Sequence, residues 1–182
     1  LLLSELRSQL DLAAQADGRE YLLTIAAAGG VDKLANYELA AIAEQCDWVN
    51  TMSYDFMGAW DLSITGHHSG LHANPSNPSG NDNVRLYYNS ASSVQPWLDA
   101  GVDSKKIVMG VPFYGRGWGG VSSTNGGLFQ AASSVPPGTW DDWSSGATGI
   151  NDFTEIESFL SSGGYVRHWD EQAKVPWLYS PS

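Results

Sequence analysis

Two short stretches carry the side chains best suited to chemistry on a polar ligand. One holds Tyr54, Asp55 and Trp60; the other holds Tyr114, Arg116 and Trp118. Each combines a phenol, a charge and an indole with nearby glycines. A phenol donates a hydrogen bond to a carbonyl or hydroxyl, and a carboxylate accepts from a hydroxyl or amide N–H. A guanidinium is permanently charged and either contacts a ligand or holds a carboxylate in place. Indoles add flat apolar faces. A sugar ring, with its apolar face and rim of hydroxyls, suits this set. Two readings of Asp55 stand open at this point, ligand acceptor or turn-capping carboxylate. Arg116 is likewise open between ligand contact and support for Asp55.

A glycoside-cleaving acid is harder to find. Hydrolysis needs a positioned group to protonate the leaving oxygen, yet no strand in this sequence ends in a glutamate or in paired carboxylates. Asp141-Asp142 lies in an irregular polar stretch that reads as solvated, and Glu155 and Glu157 fall on an exposed helix face. His67, His68 and His72 share one polar loop, but their spacing is poor for a preformed metal site and no Cys or Glu lies alongside. They read as part of a solvated loop lining a cleft. No metal and no cofactor is expected.

The elements that must position these groups follow an alternating pattern. Residues 1–16 read as an amphipathic helix closed by Asp17-Gly18. Residues 21–28 form a nearly continuous apolar run, as in a strand covered on both faces. Gly29-Gly30 marks a tight turn or a close backbone approach. A helix over 32–45 and a strand over 48–53 follow, the second ending at Tyr54. Residues 61–82 are a turn-rich loop. A helix is predicted over 83–100, interrupted or restarted at Pro96, and a strand over 107–111 leads to Tyr114. Strand and helix in alternation predict an α/β protein. In a barrel of that class, strand ends far apart in sequence converge on one mouth. After residue 119 the alternation stops. Residues 119–150 are rich in Gly, Ser and Pro, with Trp140 and Trp143 among them. A helix over 151–160, capped by Asn151 or Asp152, and two short strands over 165–170 and 174–178 complete the chain.

The 182 residues carry 20 acidic and 9 basic side chains, a formal charge of −11. That balance disfavours nucleic acid and anionic membrane as partners, since both call for basic patches. No run approaches the length of a membrane span. Cys46, the single cysteine, excludes an internal disulfide and reads as a small buried residue. Both ends of the chain read as cut from something longer.

The stretch Met52-Ser53-Tyr54-Asp55-Phe56-Met57-Gly58-Ala59-Trp60 resembles the sixth-strand motif of the family 18 glycoside hydrolases, the bacterial-type chitinases. Val111-Pro112-Phe113-Tyr114-Gly115-Arg116-Gly117-Trp118 resembles the end of their seventh strand, and residues 21–27 the fifth. The segment from Gly164 to Tyr179 resembles the domain inserted between strands seven and eight. The resemblance covers essentially the whole chain. It implies an α/β fold: a partial TIM barrel over residues 1–118 and an incomplete α+β insertion subdomain over 119–182.

It also implies a function. Carried over by position, Tyr54 would bind the carbonyl oxygen of a substrate N-acetyl group and Met52 would pack below that sugar. Asp55 and Arg116 would contact bound sugars, Trp60 would stack on the leaving-group side, and Tyr114 would line the cleft. The family retains anomeric configuration without a protein nucleophile, because the substrate's own acetamido oxygen attacks. Its acid is the glutamate of a D-x-x-D-x-D-x-E motif on the fourth strand. No such motif occurs in this sequence, and it is expected upstream of Leu1. The expected parent is a secreted, monomeric chitinase acting on chitin or N-acetylglucosamine oligosaccharides. The fragment alone is expected to be inactive and to fold poorly. A non-catalytic, lectin-like relative that binds chitin is the alternative.

Overall fold

The computed structural model describes residues 1–142, 144 and 148–181. Helix α1 spans Leu2–Asp17 and ends on Gly18, whose left-handed backbone (φ 65°) lets its N–H close the helix on the Ala14 carbonyl. Strand β1 (Thr24–Ala28) follows, then α2 (Val31–Leu34), α3 (Leu39–Gln45) and β2 (Trp48–Met52). A π-helical turn (Asn83–Tyr87) precedes α4 (Ser90–Asp99), and β3 spans Ile107–Met109. The second half contains β4 (Tyr114–Arg116), β5 (Ile150–Asp152), α5 (Phe153–Ser161), β6 (Val166–Asp170) and β7 (Val175–Tyr179).

Strands β1, β2 and β3 form one parallel sheet in that order, with Ile25 beside Val49 and Val49 beside Ile107. Parallel neighbours require crossovers, and the helical segments between them supply these. Alternation along each strand then sends Ala27 and Val49 to one face. There they join Leu34 of α2, Ala43 of α3, Cys46, Trp97 of α4 and Val102 in one core. The opposite face, with Met52 and Val108, is open to solvent. Cys46 is buried, as expected.

Several predicted boundaries shift for identifiable reasons. The helix expected over 32–45 is two helices. The Asn36 amide donates to the Asp32 and Lys33 carbonyls, while the Asn36 and Tyr37 N–H groups take tight three-residue bonds to Lys33 and Leu34, so α2 closes. The helix expected over 83–100 breaks at Tyr88-Asn89. The Asn89 side chain accepts from Ser92 N–H and starts α4 afresh. Pro96 is carried inside α4.

The second half is built from two antiparallel pairs. In one, Tyr114 faces Asp152 and Arg116 faces Ile150. In the other, β6 and β7 form the expected hairpin. The helix predicted from residue 151 begins at Phe153, because residues 150–152 are claimed by pairing with β4. Asp152 is its cap, accepting from Glu155 N–H at 2.8 Å. Asp141, expected to be solvated, instead ties down backbone by accepting from Gly138 and Ile150 N–H. Trp143 lies outside the described residues.

Candidate functional site

The end of β2 is fixed before it presents any functional group. Ser53 is fully buried, and its hydroxyl bridges Thr51 (3.0 Å) and Ser93 of α4 (2.8 Å). Immediately after, Asp55 adopts a left-handed backbone, φ 60°. Among non-glycine residues Asp is one of the few that tolerate this conformation. The chain then folds Phe56 inward against the Tyr88 ring, 5.8 Å between centroids, and leaves the Asp55 carboxylate free to reach β4.

Strand β4 supplies the partners. Positions i and i+2 of a strand share a face, so Tyr114 and Arg116 both point at Asp55. The Tyr114 hydroxyl donates to Oδ1 at 2.6 Å and Arg116 Nε to the same oxygen at 2.7 Å. Gly115 lies on the reverse face. A Cβ there would come within 2.9 Å of Ile156 Cδ1, so glycine lets α5 close onto the strand. The Arg116 guanidinium also lies over the Trp60 ring, 4.7 Å from its centroid. Trp60 remains 62% exposed, so one indole face is held and the ring still meets solvent. Trp118 donates from Nε1 to the Asp61 carbonyl, tying the following loop to this edge.

His68 completes the surround. The Phe56 N–H donates to the His68 carbonyl, which places the His68 ring 5.2 Å from the Tyr114 ring. Its Nδ1 lies 3.7 Å from Asp55 Oδ1, too long for a hydrogen bond but close enough to act electrostatically. Burial pushes the Asp55 carboxyl up, but His68, Arg116 and Tyr114 together outweigh it and hold the group well below the usual carboxylate range. The Tyr114 phenol moves the opposite way, raised by burial and by the adjacent Asp55 charge.

Tyr54 is packed edge-on against Tyr114, with ring centroids 6.2 Å apart. A Cβ on Gly110 would come within 2.8 Å of Tyr54 Cε1, so the glycine after β3 makes room for the ring. No described residue hydrogen-bonds the Tyr54 hydroxyl. Beside it, a cavity of about 240 Å³ is lined by Met52, Tyr54, Asp55 and Phe56 together with Ala28, Gly29, Gly30, Lys33 and Tyr88. The six residues selected from sequence thus meet at the C-terminal end of the sheet. Met52, Tyr54 and Asp55 line the cavity; Tyr114, Arg116 and Trp60 stand behind Asp55. The Arg116 guanidinium holds the Asp55 carboxylate.

The loop with the histidines is not the solvated segment its composition suggests. His67 is nearly buried, and its Nε2 bonds Asp170 Oδ2 at 2.8 Å; the Asn74 amide donates to the same oxygen. Burial lowers the His67 pKa more than Asp170 raises it, and facing a carboxylate, which accepts only, the ring donates from Nε2. The pair fastens the loop to the β6–β7 hairpin. Among the described residues no group of three His, Cys, Asp or Glu side chains is placed to hold a metal ion.

Comparison with known proteins decides the family. The glycosyl hydrolases family 18 pattern matches residues 1–182. The chain belongs to glycosyl hydrolase family 18. It is 43% identical over 186 residues to chitinase A1 of Niallia circulans, covering all of this chain and 25% of that protein. Among solved structures, chitinase ChiA74 from Bacillus thuringiensis superposes with a TM-score of 0.88 at 35% identity, over 99% of this chain and 29% of that one. A class V chitinase from Nicotiana tobaccum, solved in complex with NAG4, gives a TM-score of 0.82 at 29% identity, over all of this chain and 49% of that one. This family 18 chain therefore spans between a quarter and a half of the length of these relatives. Its mixed α/β topology is that of the family fold.

Proposed function

We propose that this chain is the strand-five to strand-seven portion of a secreted family 18 chitinase. On this reading residues 1–118 belong to a (β/α)8 barrel and residues 119–182 to an α+β insertion. The edge carrying Tyr54 is one wall of the cleft that receives the N-acetylglucosamine units of chitin. One contrast carries the reading. Asp55 is held by Tyr114 and Arg116, whereas Tyr54 lines the neighbouring cavity and no described residue hydrogen-bonds its hydroxyl. A fixed charge beside a free donor is what a binding wall needs and what a capped turn does not.

The roles follow from the chemistry. The acetamido oxygen of the bound sugar attacks its own anomeric carbon as the bond to the leaving oxygen breaks, giving an oxazolinium-type intermediate. Water then opens it with overall retention. Tyr54 donates to the acetamido oxygen and aims it, and the gain is mainly one of orientation. Met52 packs beneath this sugar, Asp55 accepts from it, and Tyr114 and Arg116 keep Asp55 charged and in place. The free face of Trp60 stacks on the leaving-group side. The proton donor is a glutamate supplied by residues outside this sequence, which contains no D-x-x-D-x-D-x-E motif.

The test compares N-acetylglucosamine oligomers with their fully deacetylated counterparts in the complete enzyme. Cleavage of the acetylated series alone is expected. Equal cleavage of both would overturn the mechanism, and binding without any cleavage would favour a lectin-like relative.

A further inference from the structure

The two oxygens of Asp55 are used unequally. Tyr114 and Arg116 both donate to Oδ1, at 2.6 and 2.7 Å, and no described residue donates to Oδ2. His68 also approaches Oδ1, with its Nδ1 3.7 Å away. That nitrogen is shut off from solvent, and among the described residues it has no hydrogen-bond partner. A buried polar atom left unpaired is costly. Beside a carboxylate, which accepts only, Nδ1 is favoured as the protonated ring nitrogen, because a lone pair there would repel Oδ1. A donor therefore stands beside Asp55 about 0.5 Å beyond ordinary hydrogen-bond range.

The backbone on either side of His68 is anchored. The His68 carbonyl accepts from Phe56 N–H at 3.0 Å, and the His67 ring is tied to Asp170. The Ser69 hydroxyl donates to the Ser53 carbonyl at 3.3 Å, and the Gly70 carbonyl accepts from Ser90 N–H at 2.9 Å. Four successive residues thus hold this loop, and the His68 ring packs 5.2 Å from the Tyr114 ring. Only side-chain rotation remains to close the gap. Burial raises the Asp55 pKa, and His68 is the strongest of the groups that lower it, ahead of Arg116 and Tyr114.

We propose that His68 is a positioning residue for the family 18 reaction: when a sugar bonds Oδ2 of Asp55, Nδ1–H of His68 closes onto Oδ1 as its third protein donor and locks the carboxylate in the orientation that serves the substrate. The inference rests on the reading of Asp55 as a sugar contact and deepens it. Hydrogen bonds of a catalytic site are often long before substrate binds and tighten in the complex. A bound sugar also displaces water from this end of the sheet, which strengthens a bond to a charged acceptor. Tyr114 and Arg116 both belong to β4, and His68 brings its donor from a separate segment of the chain. It acts through Asp55 and touches no reacting atom.

The test uses the complete enzyme. NMR spectra of isotope-labelled histidine, with the His68 signal assigned by its loss in His68→Asn, should show Nδ1 protonated in the free enzyme. Adding an N-acetylglucosamine oligomer should move that proton downfield and slow its exchange with solvent. His68→Leu should lower kcat/KM about tenfold. His68→Asn, whose amide nitrogen is carried on Cγ as Nδ1 is, should recover most of that loss. Equal losses in His68→Leu and His68→Asn would overturn the proposal, because that pattern belongs to packing. So would an unprotonated Nδ1, or a His68 signal that does not respond to an oligomer the enzyme does bind; the sugar-binding reading would then stand without this residue. If the unsubstituted enzyme binds no oligomer, that reading itself fails and the closure of His68 onto Asp55 fails with it.

Discussion

Arg116 meets Asp55 through Nε at 2.7 Å while the plane of its guanidinium rests on Trp60. One side chain of β4 thereby couples the charged and the aromatic residues of the segment after β2. Lysine cannot reproduce this, since it offers a point charge without a planar face. Arg116→Lys in the complete enzyme is expected to lower kcat/KM by about 10- to 100-fold. The pKa change has a definite sign. Asp55 is held low by Arg116 along with His68 and Tyr114. Weakening that support raises its pKa towards the ordinary value, so the acid limb of the pH–rate profile should move to higher pH. An unmoved acid limb would mean that Arg116 does not set the charge on Asp55.

Tyr54→Phe separates orientation from packing. The ring keeps its edge contact with Tyr114 and its place over Gly110, and only the hydroxyl is lost. A fall in kcat of about 100-fold with little change in KM is expected, because the lost bond aims the attacking oxygen and contributes little to holding the sugar. Thermal unfolding should be unchanged. A rise in KM with kcat intact would assign Tyr54 to ground-state binding instead.

The buried His67–Asp170 contact predicts how stability responds to acid. Burial lowers the folded-state pKa of His67 below its ordinary value, although Asp170 pulls it the other way and His68 adds to the lowering. Between the folded and unfolded pKa values the unfolded chain binds more protons. Stability is then full above about pH 6.5 and declines as pH falls through the folded value. Asp170, lowered by bonds from Ala173 N–H, Asn74 and His67 against the effect of burial, adds a further loss at still lower pH. Thermal denaturation of the complete enzyme between pH 7 and 5 should show a falling Tm, and His67→Gln should flatten that slope. An equal slope in the variant would remove His67 from the account.

Apolar side chains exposed on and just after β3 bear on the isolated chain. Val108, Met109, Val111 and Phe113 are between 42% and 76% exposed along β3 and the segment that follows. Exposed apolar strand surface promotes association. The 182-residue chain expressed alone is expected to bind a hydrophobic dye, to self-associate, and to release no product from N-acetylglucosamine oligomers. Turnover by this length of chain would contradict the placement of the acid outside it.

The convergence of Tyr54, Asp55, Tyr114 and Arg116 was legible in the sequence because strand ends in an α/β protein share an edge. Their division of labour was not. Arg116 and Tyr114 reach the same Asp55 oxygen because β4 pairs with β5 and presents i and i+2 together, and that pairing joins residues 34 or more apart in sequence. His67 was unreadable for a similar reason: its partner Asp170 lies 103 positions away, so a polar loop looked solvated. The cap at Asn89 is a different matter. Asn followed by a small-residue run is a local signal for a helix start, and the apolar periodicity of Val84, Tyr87 and Tyr88 masked it.

The central claim is that Tyr54 aims the acetamido oxygen of a bound sugar. A crystal structure of the complete enzyme with an N-acetylglucosamine oligomer tests it most directly. The account predicts the acetamido oxygen at about 2.6–3.2 Å from the Tyr54 hydroxyl, with that sugar over Met52 and beside Asp55. An oligomer bound with its acetamido group turned away from Tyr54, or lodged outside this edge of the sheet, would contradict it.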